Sequence, residues 1–289
     1  MKRCRRLGWL AVLVAWQAAS SHPVFGTRSS VHDVGNEKQL FIDTLLVDAS
    51  RSVTLTVNPP RKTSEKNIVS DRPWEEFYAG GWNTVLENQG VFRMWYEGRA
   101  FEGGTGYDDL KKYLCYATSR DGVRWEKPVL GLVEFRGSRE NNIVMSGVVG
   151  TVFLDPRRAG GDPYKYAGRT DGFGLWIWSS PDGLNWKKFV DRPILSKGAF
   201  DTQNQVFWDD RLGKYVAYVR RGNDARPGDP NAGAPVFKDG KLITTAAQRP
   251  DPKNLRKVGR SESAELGSGW PEPEIVFSYD DRDPAGSDH

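Results

Sequence analysis

Cysteine is nearly absent from this chain of 289 residues, which holds only Cys4 and Cys115. Cys4 lies in a segment expected to be removed, so Cys115 would stand alone. An intrachain disulfide is thereby excluded, and stability must come from packing. Met1, Lys2 and Arg3 before Cys4 also lack the apolar and small residues of a lipid-attachment site. No apolar run is long enough to cross a bilayer: Leu7 to Ala19 is about 13 residues, where a helix needs roughly 18 to 20. That run follows Lys2, Arg3, Arg5 and Arg6 and ends in Ala19, Ser20 and Ser21, so residues 1–26 read as a secretory signal peptide and 27–37 as a linker. A secreted or periplasmic protein with no integral membrane segment after cleavage is expected.

A basic face is missing as well. The formal charge of +4 equals the four cations of residues 1–26, which carry no acidic residue, so the remainder is formally neutral. Its Lys and Arg are interspersed with Asp and Glu, which argues against a nucleic-acid partner, for which a clustered basic surface is needed. No stretch sustains an apolar period of 3.6 residues over helical length.

What the chain does have is self-similarity. Tyr116-Ala117-Thr118-Ser119-Arg120-Asp121-Gly122 with Trp125 and Lys127 is echoed by Trp178-Ser179-Ser180-Pro181-Asp182-Gly183 with Trp186 and Lys188, at a shift of 61 residues. A second element recurs three times: Thr84-Val85-Leu86 with Phe92 to Tyr96, Thr151-Val152-Phe153 with Tyr164 to Ala167, and Gln205-Val206-Phe207-Trp208 with Lys214 to Tyr218. Each is a β-branched or aromatic run, a turn, and a second such run, the signature of a hairpin. Joined, the elements make a four-stranded unit repeated along the chain, which is a propeller blade. The fold class is therefore all-β: a β-propeller, incomplete in this chain, with about three blades (77–130, 147–190 and 202–277) plus N-terminal strands within 38–57, the smallest common rings having four or five blades. Residues 38–289 form this partial domain, and 222–255, rich in Pro, Gly, Asp and Arg, interrupt the third blade.

Blade geometry sorts the chemistry. Asp121-Gly122 and Asp182-Gly183 occupy third turns, away from the pocket, and Asp155, Asp209 and Asp210 occupy first turns, so all are scaffold. Residues at the start of inner strands and in second-turn loops face the pocket. Before and within the first inner strand these are Asp71, Trp74, Glu75, Glu76, Trp82 and Asn83; before the third they are Asp201, Gln203 and Asn204. Second-turn positions add Glu97, Arg99, Arg169, Arg220 and Arg221 among others, and Asp283 and Asp288 stand near the end. Carboxylates converging from different blades suit glycosidic bond cleavage, where one protonates the leaving oxygen and another serves as base or nucleophile. Trp74 and Trp82 suit stacking on sugar rings.

The stretch Phe200-Asp201-Thr202-Gln203-Asn204-Gln205-Val206-Phe207-Trp208 resembles a blade segment of family 32 glycoside hydrolases, and Gln39-Leu40-Phe41-Ile42-Asp43, Tyr113 to Ser119 and Asn141-Asn142-Ile143-Val144 extend the likeness to the exported bacterial proteins grouped with family 32 and 43 propellers. The resemblance implies the five-bladed fold and a carbohydrate substrate. It departs from family 32 at the first inner strand, where Gly81, Trp82 and Asn83 replace the nucleophile motif, and at Gln203, which replaces the stabilising Asp. The expected catalytic carboxylates are therefore Asp201, Glu76 and Asp288, with Trp74, Trp82, Asn83, Arg169, Gln203 and Asn204 binding substrate. A carbohydrate-binding propeller without catalysis is the alternative. No cofactor is called for; Ca²⁺ is compatible with an oxygen-rich channel, but no ligand spacing demands it.

Overall fold

The computed structural model describes residues 33–36, 39–44, 46–106, 109–169, 174–198, 200–221, 236–238, 241–243 and 256–278. The chain divides into two compact units, residues 1–63 and 64–289. The expected signal peptide lies outside the described residues, and of the linker only 33–36 are described. The described residues of the first unit form no strand, which corrects the two strands expected within 38–57. Leu40, Phe41, Ile42, Val53, Leu55 and Val57 are all exposed. Alternating β-branched residues favour an extended chain, but a strand exists only where its N–H and C=O groups meet a partner.

The second unit holds three four-stranded antiparallel sheets in succession. The first comprises β1 (Tyr78–Asn88), β2 (Val91–Phe101), β3 (Leu110–Ser119) and β4 (Ile143–Ser146). Gln89 and Gly90 both take positive φ, the pair of left-handed residues that a two-residue hairpin between β1 and β2 requires. Past the Asp121-Gly122 turn only Glu126 bridges back to Thr118, and β4 completes the edge by pairing with Tyr113 to Cys115. The first blade thus runs to Ser146 rather than about 130. The second sheet is β5 (Val149–Leu154), β6 (Tyr164–Arg169), β7 (Trp176–Ser180) and β8 (Lys187–Lys188), the last starting directly after Trp186. In the third blade β9 (Gln205–Asp209) and β10 (Lys214–Arg221) precede the insertion, which carries the short hairpin β11 (Val236–Lys238) and β12 (Lys241–Ile243); β13 (Lys257–Ser263) and β14 (Glu274–Phe277) complete the sheet.

The inner strands β1, β5 and β9 lie side by side, the arrangement of propeller blades around an axis. Two threonines of the recurring Thr-Val pairs stitch them. The Val152 N–H donates to Thr84 Oγ1 at 3.1 Å, and Thr151 Oγ1 donates to the Asn204 carbonyl. Because side chains alternate across a strand, each sheet has two faces to bury. Trp95, Leu114 and Tyr116 of the first blade meet Val152, Tyr164, Tyr166 and Trp178 of the second. Phe153, Ala167 and Ile177 on the other face of the second blade meet Val206, Tyr215, Ala217 and Val219 of the third.

The third-turn motifs are scaffold. Asp121 and Gly122 donate their N–H groups to Ser119 Oγ, while Asp121 Oδ1 accepts from Val123 and Arg124, both at 2.8 Å. Asp182 repeats this with Ser180, Leu184 and Asn185. The motif also ties blades together, since Trp95 Nε1 of the first blade donates to the Gly183 carbonyl of the second at 2.7 Å. The third blade keeps a degenerate version: the Glu265 N–H donates to Ser263 Oγ, and Trp270 Nε1 donates to the Leu266 carbonyl. Asp155 is likewise spent, accepting from Arg157, Ala159 and the Tyr215 hydroxyl.

The remaining face of the first blade is covered by its own chain. Trp74, in the 3-10 turn Pro73–Glu75, packs edge-on to Phe135, and its Nε1 donates to Asn142 Oδ1 at 2.8 Å. Asn142 Nδ2 donates to Tyr96 Oη at 2.8 Å and to the Tyr116 carbonyl at 2.6 Å, and Tyr96 Oη donates to Glu75 Oε1 at 2.6 Å. The Lys127 ammonium closes the network on Glu75 Oε2 and Asp71 Oδ1, both at 2.6 Å. Cys115 lies beside this network, and burial, aided by Glu75, pushes its thiol well above the ordinary range.

These contacts set two expectations. Replacing Asn142 with Leu strands the Trp74 indole N–H and removes donors from two acceptors, a loss of about 3 kcal/mol in urea unfolding; an unchanged midpoint would contradict the network. In the second motif, burial raises the Asp182 pKa, but the N–H groups of Asn185 and Leu184 outweigh it and bring the pKa to about 2. A carboxyl depressed in the folded state stabilises above its unfolded pKa and loses that contribution as pH falls through the folded value. The stability gap between wild type and Asp182→Ala should therefore narrow from about pH 4 down to about pH 2.

Candidate functional site

The starts of the three inner strands converge, and two of them are strained in the same way. Trp82 has φ of 45° and Phe200 has φ of 50°, both in the left-handed region that non-glycine residues rarely occupy. Such positions cluster where surrounding structure holds a chain for function. Each is followed by a polar residue, Asn83 and Asp201. Around Trp82 the strand bulges, its register with β2 shifting between Gly80 and Thr84. Gly81 takes φ of 64°, and a Cβ there would fall 2.3 Å from the Tyr78 hydroxyl, so only glycine fits the turn. Trp82 Nε1 is buried and finds no acceptor among the described residues. Phe200 is fully buried in the core between the second and third blades and anchors Asp201.

Asp201 Oδ1 accepts from Arg220 Nη1 at 2.7 Å. The Arg220 side chain is only 10% exposed while that of Asp201 is 40% exposed, so the arginine is a buried brace and the carboxylate faces outward. Asn204 secures the loop, its Nδ2 donating to the carbonyls of Phe200 and Thr202. This corrects its assignment as a sugar contact: Asn204 is fully buried, its amide donors are taken, and it acts as a positioning residue for Asp201. Gln203 and Asn83 are exposed and Trp82 is half-buried at the same end of the blades. Trp74 is corrected too, because an indole 8% exposed, packed on Phe135 and bonded to Asn142, presents no face to a sugar.

Charge from three blades collects here. On β2, Arg99 forms a fork with Glu97, Nε to Oε1 at 3.0 Å and Nη2 to Oε2 at 3.1 Å, and its guanidinium lies over the Tyr78 ring, 5.5 Å from the centroid. Glu97 is 4% exposed. Opposite Arg99 in the ladder stands Lys112 on β3. The Lys112 ammonium is within electrostatic range of Arg99, Glu97, Arg169 and Asp201. Burial is the largest influence on it and lowers its pKa; Arg99 and Arg169 lower it further, and Glu97 and Asp201 oppose them. The route between these groups is short, for the Gly147 N–H donates to the Lys112 carbonyl at 2.8 Å, and Val149, two residues on, pairs with Arg169 at the end of β6.

Glu76 is not part of this gathering. Its carboxylate accepts from Arg136 Nη2 at 2.6 Å and from the Phe101 N–H at 3.0 Å, on the side of the first blade that Phe135 and Trp74 cover. Asp288 lies outside the described residues. Lys112 carries no sequence signal of its own, since only the strand register places it beside Arg99. Among the described residues no group of three or more His, Cys, Asp or Glu is arranged to hold a metal, and no helix is long and apolar enough to cross a membrane.

No family model matches the chain. The uncharacterized proteins MT1551 and Rv1502 of two Mycobacterium tuberculosis strains are each 32% identical over 104 residues, which is 36% of this chain and 32% of theirs. The matched stretch therefore spans about a third of the length of these relatives. Among solved structures, BT0996 in its RGII complex has a TM-score of 0.43 at 17% identity, over 76% of this chain and 64% of its own. An N-acetylgalactosamine deacetylase from F. plautii has a TM-score of 0.40 at 12% identity, over 70% and 54%. A family 32 β-fructofuranosidase of Bombyx mori has a TM-score of 0.38 at 14% identity, over 68% and 36%. The class defined by the three successive four-stranded sheets is a β-propeller.

The ladder also sets a titration result. Glu97→Gln removes an anion and should lower the Lys112 pKa, whereas Arg99→Gln removes a cation and should raise it. Side-chain NMR of labelled lysine reads both shifts; movement in the same direction would contradict the arrangement.

Proposed function

We propose that this protein is a glycosidase-like, five-bladed β-propeller acting on glycosidic bonds of an oligosaccharide or polysaccharide and exported by its N-terminal segment. The observation that carries the reading is Asp201: a carboxylate 40% exposed at the start of an inner strand, behind a strained, buried phenylalanine and braced by Arg220. Its Oδ2 makes no hydrogen bond among the described residues, so it is the carboxylate oxygen available to a substrate. Cleavage of a glycosidic bond passes through an oxocarbenium-like transition state, and a fixed carboxylate beside the anomeric carbon stabilises that charge or attacks it. Trp82 and Asn83 would flank the sugar, the first through its apolar face and the second through its amide.

A second carboxyl must protonate the leaving oxygen. Both oxygens of Glu97 accept from Arg99, and Glu76 is engaged by Arg136. Asp288, the remaining carboxylate of the expected set, would then be the proton donor. Those same engagements favour a second reading, a propeller that binds carbohydrate without cleaving it.

Incubation of the full chain with a glycan panel, products read by mass spectrometry, separates the two. Asp201→Asn should reduce turnover by at least about 100-fold while leaving glycan binding within about threefold, and Asp288→Asn should do the same. Wild-type binding with no product from any glycan would replace the enzyme reading with the binding one.

A further inference from the structure

We infer that the propeller mouth takes a glycan bearing acidic groups, carboxylate or sulfate ester, and that Lys112 is the side chain that engages the anion. This rests on the carbohydrate reading above and narrows its substrate class.

Arg99 and Lys112 stand directly opposite each other on β2 and β3. Like charges in that relation repel, and strand pairs avoid them. Arg99 is compensated by the Glu97 fork and the Tyr78 ring. Lys112 is not, for among the described residues its ammonium makes no hydrogen bond and no ion pair, although the side chain is partly buried. Two more deeply buried lysines differ. Lys127 meets Asp71 and Glu75, and Lys165, fully buried, lies 3.7 Å from Asp155. Among the described residues these two deeply buried lysines are each met by a carboxylate, whereas Lys112 is not.

The two nearby carboxylates do not fill that role, because Glu97 and Asp201 are each held by their own arginine. Near Asp201, Arg220 Nε is also buried and finds no acceptor among the described residues. Arg99, Arg220 and Lys112 thus stand against two carboxylates, Glu97 and Asp201. A neutral sugar hydroxyl would satisfy hydrogen bonding but leave the repulsion. An anion removes both, through a charge-assisted bond at a half-buried position where solvent screens little.

The test measures affinity of the full chain for oligogalacturonides and sulfated galactan oligomers, beside their carboxyl-reduced and desulfated counterparts. One acidic series should bind at least about tenfold more tightly than its neutral counterpart, and which series does so identifies the anion. Lys112→Gln should abolish that preference, Lys112→Arg should retain most of it, and Lys111→Gln, one residue away, should leave it intact. Equal binding of acidic and neutral probes overturns the inference while the carbohydrate reading stands. Equal losses in Lys111→Gln and Lys112→Gln also overturn it, since the effect would then be bulk charge. Absence of binding to every probe removes both the inference and the reading beneath it.

Discussion

Trp95 lies between the first two blades with its ring against Tyr116 and Tyr164, fully buried, while its indole N–H reaches the Gly183 carbonyl in the turn of the next blade. The rest of the molecule depends on contacts of this kind. A four-stranded sheet has two apolar faces and little thickness, so it is stable only when each face is covered. Stacking sheets side by side does this, at about 25 cal/mol for each Å² of apolar surface removed from water. The third-turn motif serves that stacking. Its serine and aspartate satisfy the turn backbone, which leaves the glycine carbonyl free to accept from the neighbouring blade.

Once the sheets are stacked, the inner strands must run together, and Thr84 and Thr151 hold them in register. The starts of these strands are then forced to one place. Strain accumulates there at Trp82 and Phe200, and polar groups with incomplete partners collect beside them. The first blade differs because its outer face is closed by its own chain. Trp74, Glu75, Asn142 and Lys127 turn what read as pocket residues into a buried polar network, in which every described group is satisfied.

The electrostatics follow the same division. Inside the sheets the two deeply buried lysines each have a carboxylate, Asp155 for Lys165 and Glu75 for Lys127. At the mouth the pairing is carried by arginine, which grips Glu97 and Asp201 and leaves the lysine between them without a partner. The contrast separates lysines that hold the fold from the one left among the charges at the strand starts, and it does so by their partners rather than by residue type.

How much of this the chain announced can be judged residue by residue. The spacing of Ser119-Asp121-Gly122-Trp125 and its echo at Ser180 revealed the blade repeat, because turn chemistry and strand alternation are local and recur wherever the unit recurs. The same local logic set aside Asp155, Asp182 and Asp209 as turn residues, each of which accepts backbone N–H groups of its own turn, and it put Asp201 in the loop before an inner strand. Trp74, Asn204 and the segment within 38–57 were misjudged for one reason: propensity describes what a residue suits, whereas burial and pairing depend on which distant groups arrive. Lys112 was invisible for the same reason, as its meaning lies in the cross-strand register with Arg99 and the approach of Arg169 and Asp201. Sequence alone determined the all-β repeat and the positions of its turns. Only tertiary structure decided which charges met and which one was left without a partner, because Coulomb interactions follow distance in space and not distance along the chain.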